Sequence, residues 1–180
     1  MADSPFATTN PIPAILTNAR VYREGADQIG VGSVELPPLE MMSETISGLA
    51  IAGEVDMPVT GHCGSQEMTN KWNAPCPDAV SLLKNEAHHL DIRASIQGYD
   101  AGSGLMQDVP VKAVVRALPK SVSFGAFEPA KKSESETKLQ VTYIKIWIGG
   151  VERVEIDKFN FIFRVDGVDQ LATVRSNLGL

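Results

Sequence analysis

The stretch LQVTYIKIWIGGVERVEIDKFNFIFRV, residues 139–165, decides the fold class. Leu139 to Ile148 is dense in Val, Tyr, Ile and Trp, residue types that fill a pleated, half-buried surface. Gly149-Gly150 supplies a two-residue turn, because tight hairpin turns need positive φ at their central positions. Val151 to Val165 returns as a strand through Val154, Ile156, Phe159, Phe161 and Phe163. Its phase changes near Asp157-Lys158, where a bulge is expected.

Upstream, Leu90, Ile92, Ala94 and Ile96 alternate with Asp91, Arg93, Ser95 and Gln97, a period-2 strand that stops at Asp100-Ala101-Gly102-Ser103-Gly104. Val109 to Leu118 pairs with it as a second hairpin. Pro119 to Thr137, with Gly125, Pro129 and the tract Lys131-Lys132-Ser133-Glu134-Ser135-Glu136, reads as a surface loop. Between Asp78 and His89, Ala79, Val80, Leu82, Leu83 and Ala87 fall at helical spacings and predict the main helix. Asp169 to Leu178 predicts a short terminal helix, with Leu171, Val174 and Leu178 on one side.

Toward the N-terminus, Gly64 to Trp72 alternates as a strand, and Ala19–Glu24 with Ile29–Leu36 forms a further hairpin. Pro5, Pro11 and Pro13 block regular pairing, so residues 1–18 read as an arm ahead of a domain over 19–180. Residues 40–62 mix apolar side chains with Gly48, Gly53 and Gly61 and show no clean period. Two readings stand: a short helix over Leu39–Ala50, or a long excursion covered by another chain. The sum is about eight strands, a mainly β (α+β) chain folded as an antiparallel β-sandwich or barrel with one main α-helix and a short C-terminal helix.

The 180 residues suit one domain, and 43% apolar with 21% charged residues suits a packed globular core. Sixteen Lys plus Arg against 22 Asp plus Glu give a charge of −6, which argues against a free-standing nucleic-acid binder. No apolar stretch approaches the roughly 18–20 residues of a membrane-spanning helix. Met1-Ala2-Asp3-Ser4-Pro5 lacks the basic start of a secretion signal. Two cysteines, Cys63 and Cys76, are too few for a disulfide framework.

Chemistry finds little support. His62, Cys63, Cys76, Asp78, His88 and His89 are of metal-ligand type, but structural zinc sites pair cysteines two to four residues apart. Adjacent histidines on a helix point roughly 100° apart. Gly61-His62-Cys63-Gly64-Ser65 lacks the second glycine of a nucleophile elbow, and Gly30-Val31-Gly32 lacks the third glycine of a dinucleotide loop. Neither a catalytic residue nor a cofactor is expected.

Leu16-Thr17-Asn18-Ala19-Arg20-Val21-Tyr22, Val34-Glu35-Leu36-Pro37-Pro38-Leu39-Glu40, Glu44-Thr45-Ile46-Ser47-Gly48 and Ile51-Ala52-Gly53-Glu54 carry a resemblance. So do Asp78-Ala79-Val80-Ser81-Leu82-Leu83, Ala87-His88-His89-Leu90-Asp91-Ile92-Arg93, Val114-Val115-Arg116-Ala117-Leu118-Pro119-Lys120, Val141-Thr142-Tyr143-Ile144-Lys145 and the run from Glu155 to Leu180. Together they resemble the major tail tube proteins of contractile-tailed, P2-like bacteriophages.

The resemblance implies hexameric rings whose sheets join into a continuous barrel around a lumen, stacked as a tube inside a contractile sheath. Implied partners are further copies of the chain, the tail sheath protein, and tape measure, baseplate and terminator proteins, with DNA passing without specific binding. Tubes of R-type pyocins and type VI secretion are close alternatives, and a monomeric interaction module a more distant one. The expected place is the virion tail tube, made and assembled in the host cytoplasm.

In that setting residues 40–62 become a ring-stacking loop, with Met41, Met42, Glu44, Ile46, Leu49, Ile51, Glu54 and Met57 at the interface. Glu67, Thr69, Asp91, Ser95 and Gln97 are the lumen-facing candidates, giving a neutral or acidic bore over which DNA slides. Lys84, Glu86, Glu134 and Glu136 are the sheath-facing candidates. Cys63 and Cys76 are candidates for a disulfide in an oxidising medium.

Overall fold

The computed structural model describes residues 11–30, 32–49 and 51–180. Its centre is the hairpin of β9 (Ser135–Ile148) and β10 (Val151–Asp157), closed by Gly149 at φ 61° and Gly150 at φ 78°. The bulge lies between Glu152 and Val154, earlier than expected. At the expected place the chain reverses. Asp157 Oδ1 accepts hydrogen bonds from the N–H groups of Phe159 and Asn160, both at 3.0 Å, and β11 (Ile162–Val165) returns antiparallel along β10. This side-chain-to-backbone turn overrides the alternation that suggested one long strand.

The main sheet runs β12 (Val168–Asp169), β11, β10, β9, β8 (Leu105–Ser123), β7 (His88–Asp100), β1 (Pro11–Arg23), β2 (Asp27–Ile29). Strand β6 (Glu67–Trp72) joins β9, and β3 (Ser33–Glu35) joins β6. All these pairings are antiparallel.

Strand β9 therefore has two partners on one side: 135–140 pair with β6 and 143–148 with β10. The exchange occurs at Thr142, an extra residue between the pairs Ala117↔Val141 and Arg116↔Tyr143. The bulge resets parity. Leu139 and Val141 before it, and Ile144 after it, are all fully buried. They pack with Met68, Trp72, Leu82, Leu90, Val115 and Ile156 in one core, each large side chain contributing roughly 1.5–3 kcal/mol of burial.

The expected helix over Asp78–His89 is a single turn, α1 (Pro77–Ser81). Cys76 caps it, its Sγ accepting the Ala79 N–H at 3.5 Å, and Pro77 starts it. Ala79 and Leu82 already bury its apolar side, so nothing draws Lys84-Asn85-Glu86 into a second turn. His88 instead begins β7, where it is buried in alternation with Leu90 and Ile92. The terminal helix is α2 (Ala172–Leu178), ended by Gly179 at φ 75°.

Three boundaries also differ. Residues 11–18 of the expected arm belong to β1, paired with β7 through two register breaks; residues 1–10 of the arm lie outside the described residues. Pro11 and Pro13 are tolerated because β2 covers β1 only over Val21–Arg23, and among the described residues the outer edge of β1 carries no ladder there. Ile29–Leu36 divides between β2 and β3, which join different neighbours. The Pro119–Thr137 loop shrinks to 124–134, because β8 runs on to Ser123 and β9 starts at Ser135.

The described residues of 40–62 form no helix. Strands β4 (Met41–Ser47) and β5 (Glu54–Cys63) make a two-stranded sheet of their own, apart from the main one.

Candidate assembly surfaces

The β4–β5 hairpin sorts its side chains by alternation. Glu44 faces Met57 and Ile46 faces Val55, so these four share one face, which Met42 and Val59 extend. Ser43, Thr45, Ser47, Glu54, Asp56 and Pro58 occupy the other. Among the described residues nothing covers the apolar face: Met42 is 54% exposed and Met57 52%. A lone two-stranded sheet is marginal in water.

Of the ring-stacking candidates, Met42, Glu44, Ile46 and Met57 thus meet on one face, and Glu54 lies on the opposite one. Leu49, fully exposed, and Ile51 belong to the tip, where the Ile51 N–H donates to the Gly48 carbonyl at 3.0 Å. Met41 sits at the base, its sulfur 3.9 Å from Cys63 Sγ. Val55 and Val59 complete the apolar face and had no periodic signal of their own.

The base is anchored to the domain. The Gly64 N–H donates to the Glu40 carbonyl at 3.0 Å, and Lys158 Nζ donates to the Gly64 carbonyl at 2.5 Å. Gly61, at φ 70°, lies so close to buried Leu171 that a Cβ there would stand 2.6 Å from its side chain. Burial pushes the Cys63 thiol pKa up, with Lys158 opposing. Cys63 and Cys76 are both free thiols.

A second surface is the sheet face opposite the core. Asp91, Ser95 and Gln97 alternate with buried Leu90 and Ile92, which places them there with Arg20, Tyr22, Arg93, Lys112, Tyr143, Lys145 and Trp147. Arg93 lies 4.6 Å from the Tyr22 ring centre, and Lys112 and Lys145 lie 5.5 and 5.3 Å from Trp147. The Asp91 carboxylate meets Arg93 at 3.2 Å and Lys112 at 3.4 Å. Glu155 meets Arg164 at 2.8 Å, and Lys145 meets Glu152 at 2.7 Å.

This face is layered by charge. The Asp91 and Glu155 side chains are 15% and 9% exposed, whereas Arg93, Lys112 and Arg164 are 49%, 43% and 39% exposed. In these pairs the carboxylate lies low and the cation stands above it; at Lys145–Glu152 the order reverses, the cation being 19% and the carboxylate 31% exposed. The hydrogen bond that Lys145 donates to Glu152 raises the Lys145 pKa, while burial, then Glu155, pushes Tyr143 up to about 12. The face holding Asp91, Ser95 and Gln97 is therefore mixed in charge rather than neutral or acidic.

The other lumen candidates lie on β6. Glu67 bridges Lys120 and Lys138, and its hydrogen bond with Lys120 holds its pKa below the usual carboxylate range. Thr69 is buried between Glu35 and Lys138 in register, so it presents nothing to a bore. Among the sheath candidates, Lys84 and Glu86 are exposed on the segment after α1 rather than on a helix. Glu134 is exposed in the 124–134 loop at φ 52°, and Glu136 lies in β9 beside Lys138 at 3.8 Å.

Among the described residues, no three His, Cys, Asp or Glu side chains are grouped to hold a metal ion, and no helix is long and apolar enough to cross a membrane.

The family model of phage tail tube protein FII matches residues 13–179. The tail tube protein of Escherichia phage P2 is 30% identical over 176 residues, spanning 94% of this chain and 99% of that protein. In fold, the chain is similar to one from the sheath–tube complex of a PVC extracellular contractile injection system in the extended state. That match has a TM-score of 0.52 at 16% identity, over 78% of this chain and 93% of that one. The sheath/tube terminator of a PVC system matches with a TM-score of 0.50 at 14% identity, over 82% of this chain and 99% of that one. Homology along almost the whole chain gives one result: the chain belongs to the phage tail tube protein FII family.

Proposed function

We propose that the chain is the repeating unit of a contractile tail tube, closing into hexameric rings that stack and conduct the genome into a bacterial host. The observation that carries this reading is the amphipathic β4–β5 hairpin, whose apolar face projects uncovered from a folded domain. Stacked rings cover that face with the next copy. Met42, Glu44, Ile46 and Met57 make the contact, and Leu49 and Ile51 reach beyond it.

Ring closure uses the β1 edge, where Ile15 and Leu16 are exposed and no outer partner lies among the described residues. Edge pairing between copies removes an aggregation template. Asp91, Ser95, Gln97 and Glu67 face the bore on this reading. Its ion-paired carboxylates and cations neutralise one another, so DNA finds neither a strong field to bind nor one to oppose it. The sheath protein surrounds the tube, and tape measure, baseplate and terminator proteins bound its length and ends. The particle assembles in the host cytoplasm and the chain resides in the virion tail.

Deleting residues 44–56 tests the reading. The expected product is a folded subunit that forms no stacks in negative-stain micrographs; tubes of normal length would overturn it.

A further inference from the structure

Strand β6 sets the two ends of the subunit apart. Glu67 follows the hairpin base at Gly64, and Trp72 leads into Asn73, Ala74 and Pro75. Six residues at about 3.3 Å each hold these ends roughly 20 Å apart. At the far end the 124–134 loop folds back onto Asn73, whose carbonyl accepts the Ser133 N–H at 3.2 Å. The Ser133 carbonyl in turn accepts the Ala126 N–H at 3.0 Å. Gly125, at φ 66°, makes that path possible, since a Cβ there would stand 1.6 Å from the Ser133 oxygen.

Between loop and strand end lies an open groove of about 460 Å³, walled chiefly by Ala74, Pro75, Ala126, Phe127 and Pro129, with Lys131 at its rim. Phe127 is 80% exposed. Lys132 follows at once in sequence.

We infer that this groove receives the β4–β5 hairpin of a second copy stacked head to tail. The inference rests on the tube reading above and names the surface that reading leaves open. Three observations carry it. Hairpin and groove lie at opposite ends of one strand, the arrangement that lets a heterologous contact repeat without closing on itself. The hairpin offers Met42, Ile46 and Met57, and methionine packs well against aromatic and proline surfaces such as Phe127 and Pro129.

Charge is the third. Residues 24–70 hold eight carboxylates and no Lys or Arg, so a cation facing Glu44, the carboxylate on the apolar face, comes from elsewhere in the sequence. Lys131 lines the groove and supplies it. Lys131 is already paired with Glu128 at 2.6 Å across an exposed surface, and such a contact exchanges partners at little cost.

The test uses the full chain. Phe127→Ser removes an exposed side chain, so the variant is expected to melt like the wild type and to give no tubes, or tubes several-fold shorter. Normal tubes from Phe127→Ser, with none from the 44–56 deletion, overturn the groove and leave the stacking reading standing. Normal tubes from both overturn the two together.

A direct measurement pairs Met57→Cys with Ala126→Cys in a Cys63→Ser, Cys76→Ser background. Oxidised tubes are expected to run as a covalent ladder on non-reducing gels, and monomer alone from intact tubes overturns the contact. In the charge arm, Lys131→Glu shortens tubes, and adding Glu44→Lys, on the docking face of the hairpin, restores their length. Failure of restoration counts against the pairing.

Discussion

Thr142 Oγ1 donates a hydrogen bond to the Arg116 carbonyl at 3.1 Å, where β9 leaves β6 and takes up β10. This contact fixes an extra residue in the strand that carries most of the core. Deleting Thr142 forces residues on one side of it to swap faces, sending Tyr143 and Lys145 toward the core. The deletion is expected to yield insoluble protein. Thr142→Val keeps the residue count and loses only the hydrogen bond, about 1 kcal/mol, which lowers Tm by about 2–4 °C for a chain of this size. Paired thermal melts and solubility assays check both.

Gly61 and Leu171 are a second coupled pair. Gly61→Ala places a methyl group 2.6 Å from Leu171 at a φ of 70°, and is expected to cost about 1–3 kcal/mol. Leu171→Ala leaves a cavity and costs about 2–5 kcal/mol alone. The double variant is expected to lose less than the sum, because the cavity admits the methyl. Chemical denaturation of all four chains reads the coupling.

Asp169 anchors the terminal helix through Arg175, at 2.6 Å, and that hydrogen bond holds its pKa below the ordinary carboxylate value. A depressed carboxylate stabilises the fold above its unfolded pKa, about 3.9, and loses that contribution as pH falls through the folded value. The Tm difference between wild type and Asp169→Asn is therefore expected to be full at pH 7, to begin shrinking as pH falls below about 4, and to vanish only below the depressed folded pKa. A pH series of melts checks it.

The layered face makes a functional prediction within the tube reading. Asp91→Asn with Glu155→Gln removes the low carboxylates and leaves Arg93 and Lys112 unopposed, while Arg164 keeps only its longer contact with Asp169 at 3.7 Å. Tubes carrying both changes are expected to retain DNA with a steep salt dependence and to slow genome release. Ejection rates across a salt series measure this; unchanged rates would place the face away from the bore.

Two hairpins were legible in the sequence, because Leu90–Gln97 and Leu139–Ile148 declare themselves by alternation and by glycine turns. The helix over Asp78–His89 was misread because one buried turn and six following residues imitate a longer period. Only contact with the core separates Leu82, which is buried, from Leu83, which is exposed. Residues 40–62 hid their strands because both the register jump near Pro58 and the positive φ of Gly61 break the period. The mixed charge of the sheet face escaped notice because Arg20, Lys112 and Lys145 join Asp91 only across strands, a relation no local window contains. The groove escaped too, since β6 brings Asn73 to Phe127 from more than fifty positions away.

The uniform sign of residues 24–70 has a further effect. Two such hairpins laid against each other repel, so a symmetric back-to-back dimer, the simplest way to hide their apolar faces, is disfavoured. The unit that remains has a front and a rear. A filament grown from it has a polarity fixed in the monomer, and only one of its ends is competent to greet the next arrival with a hairpin.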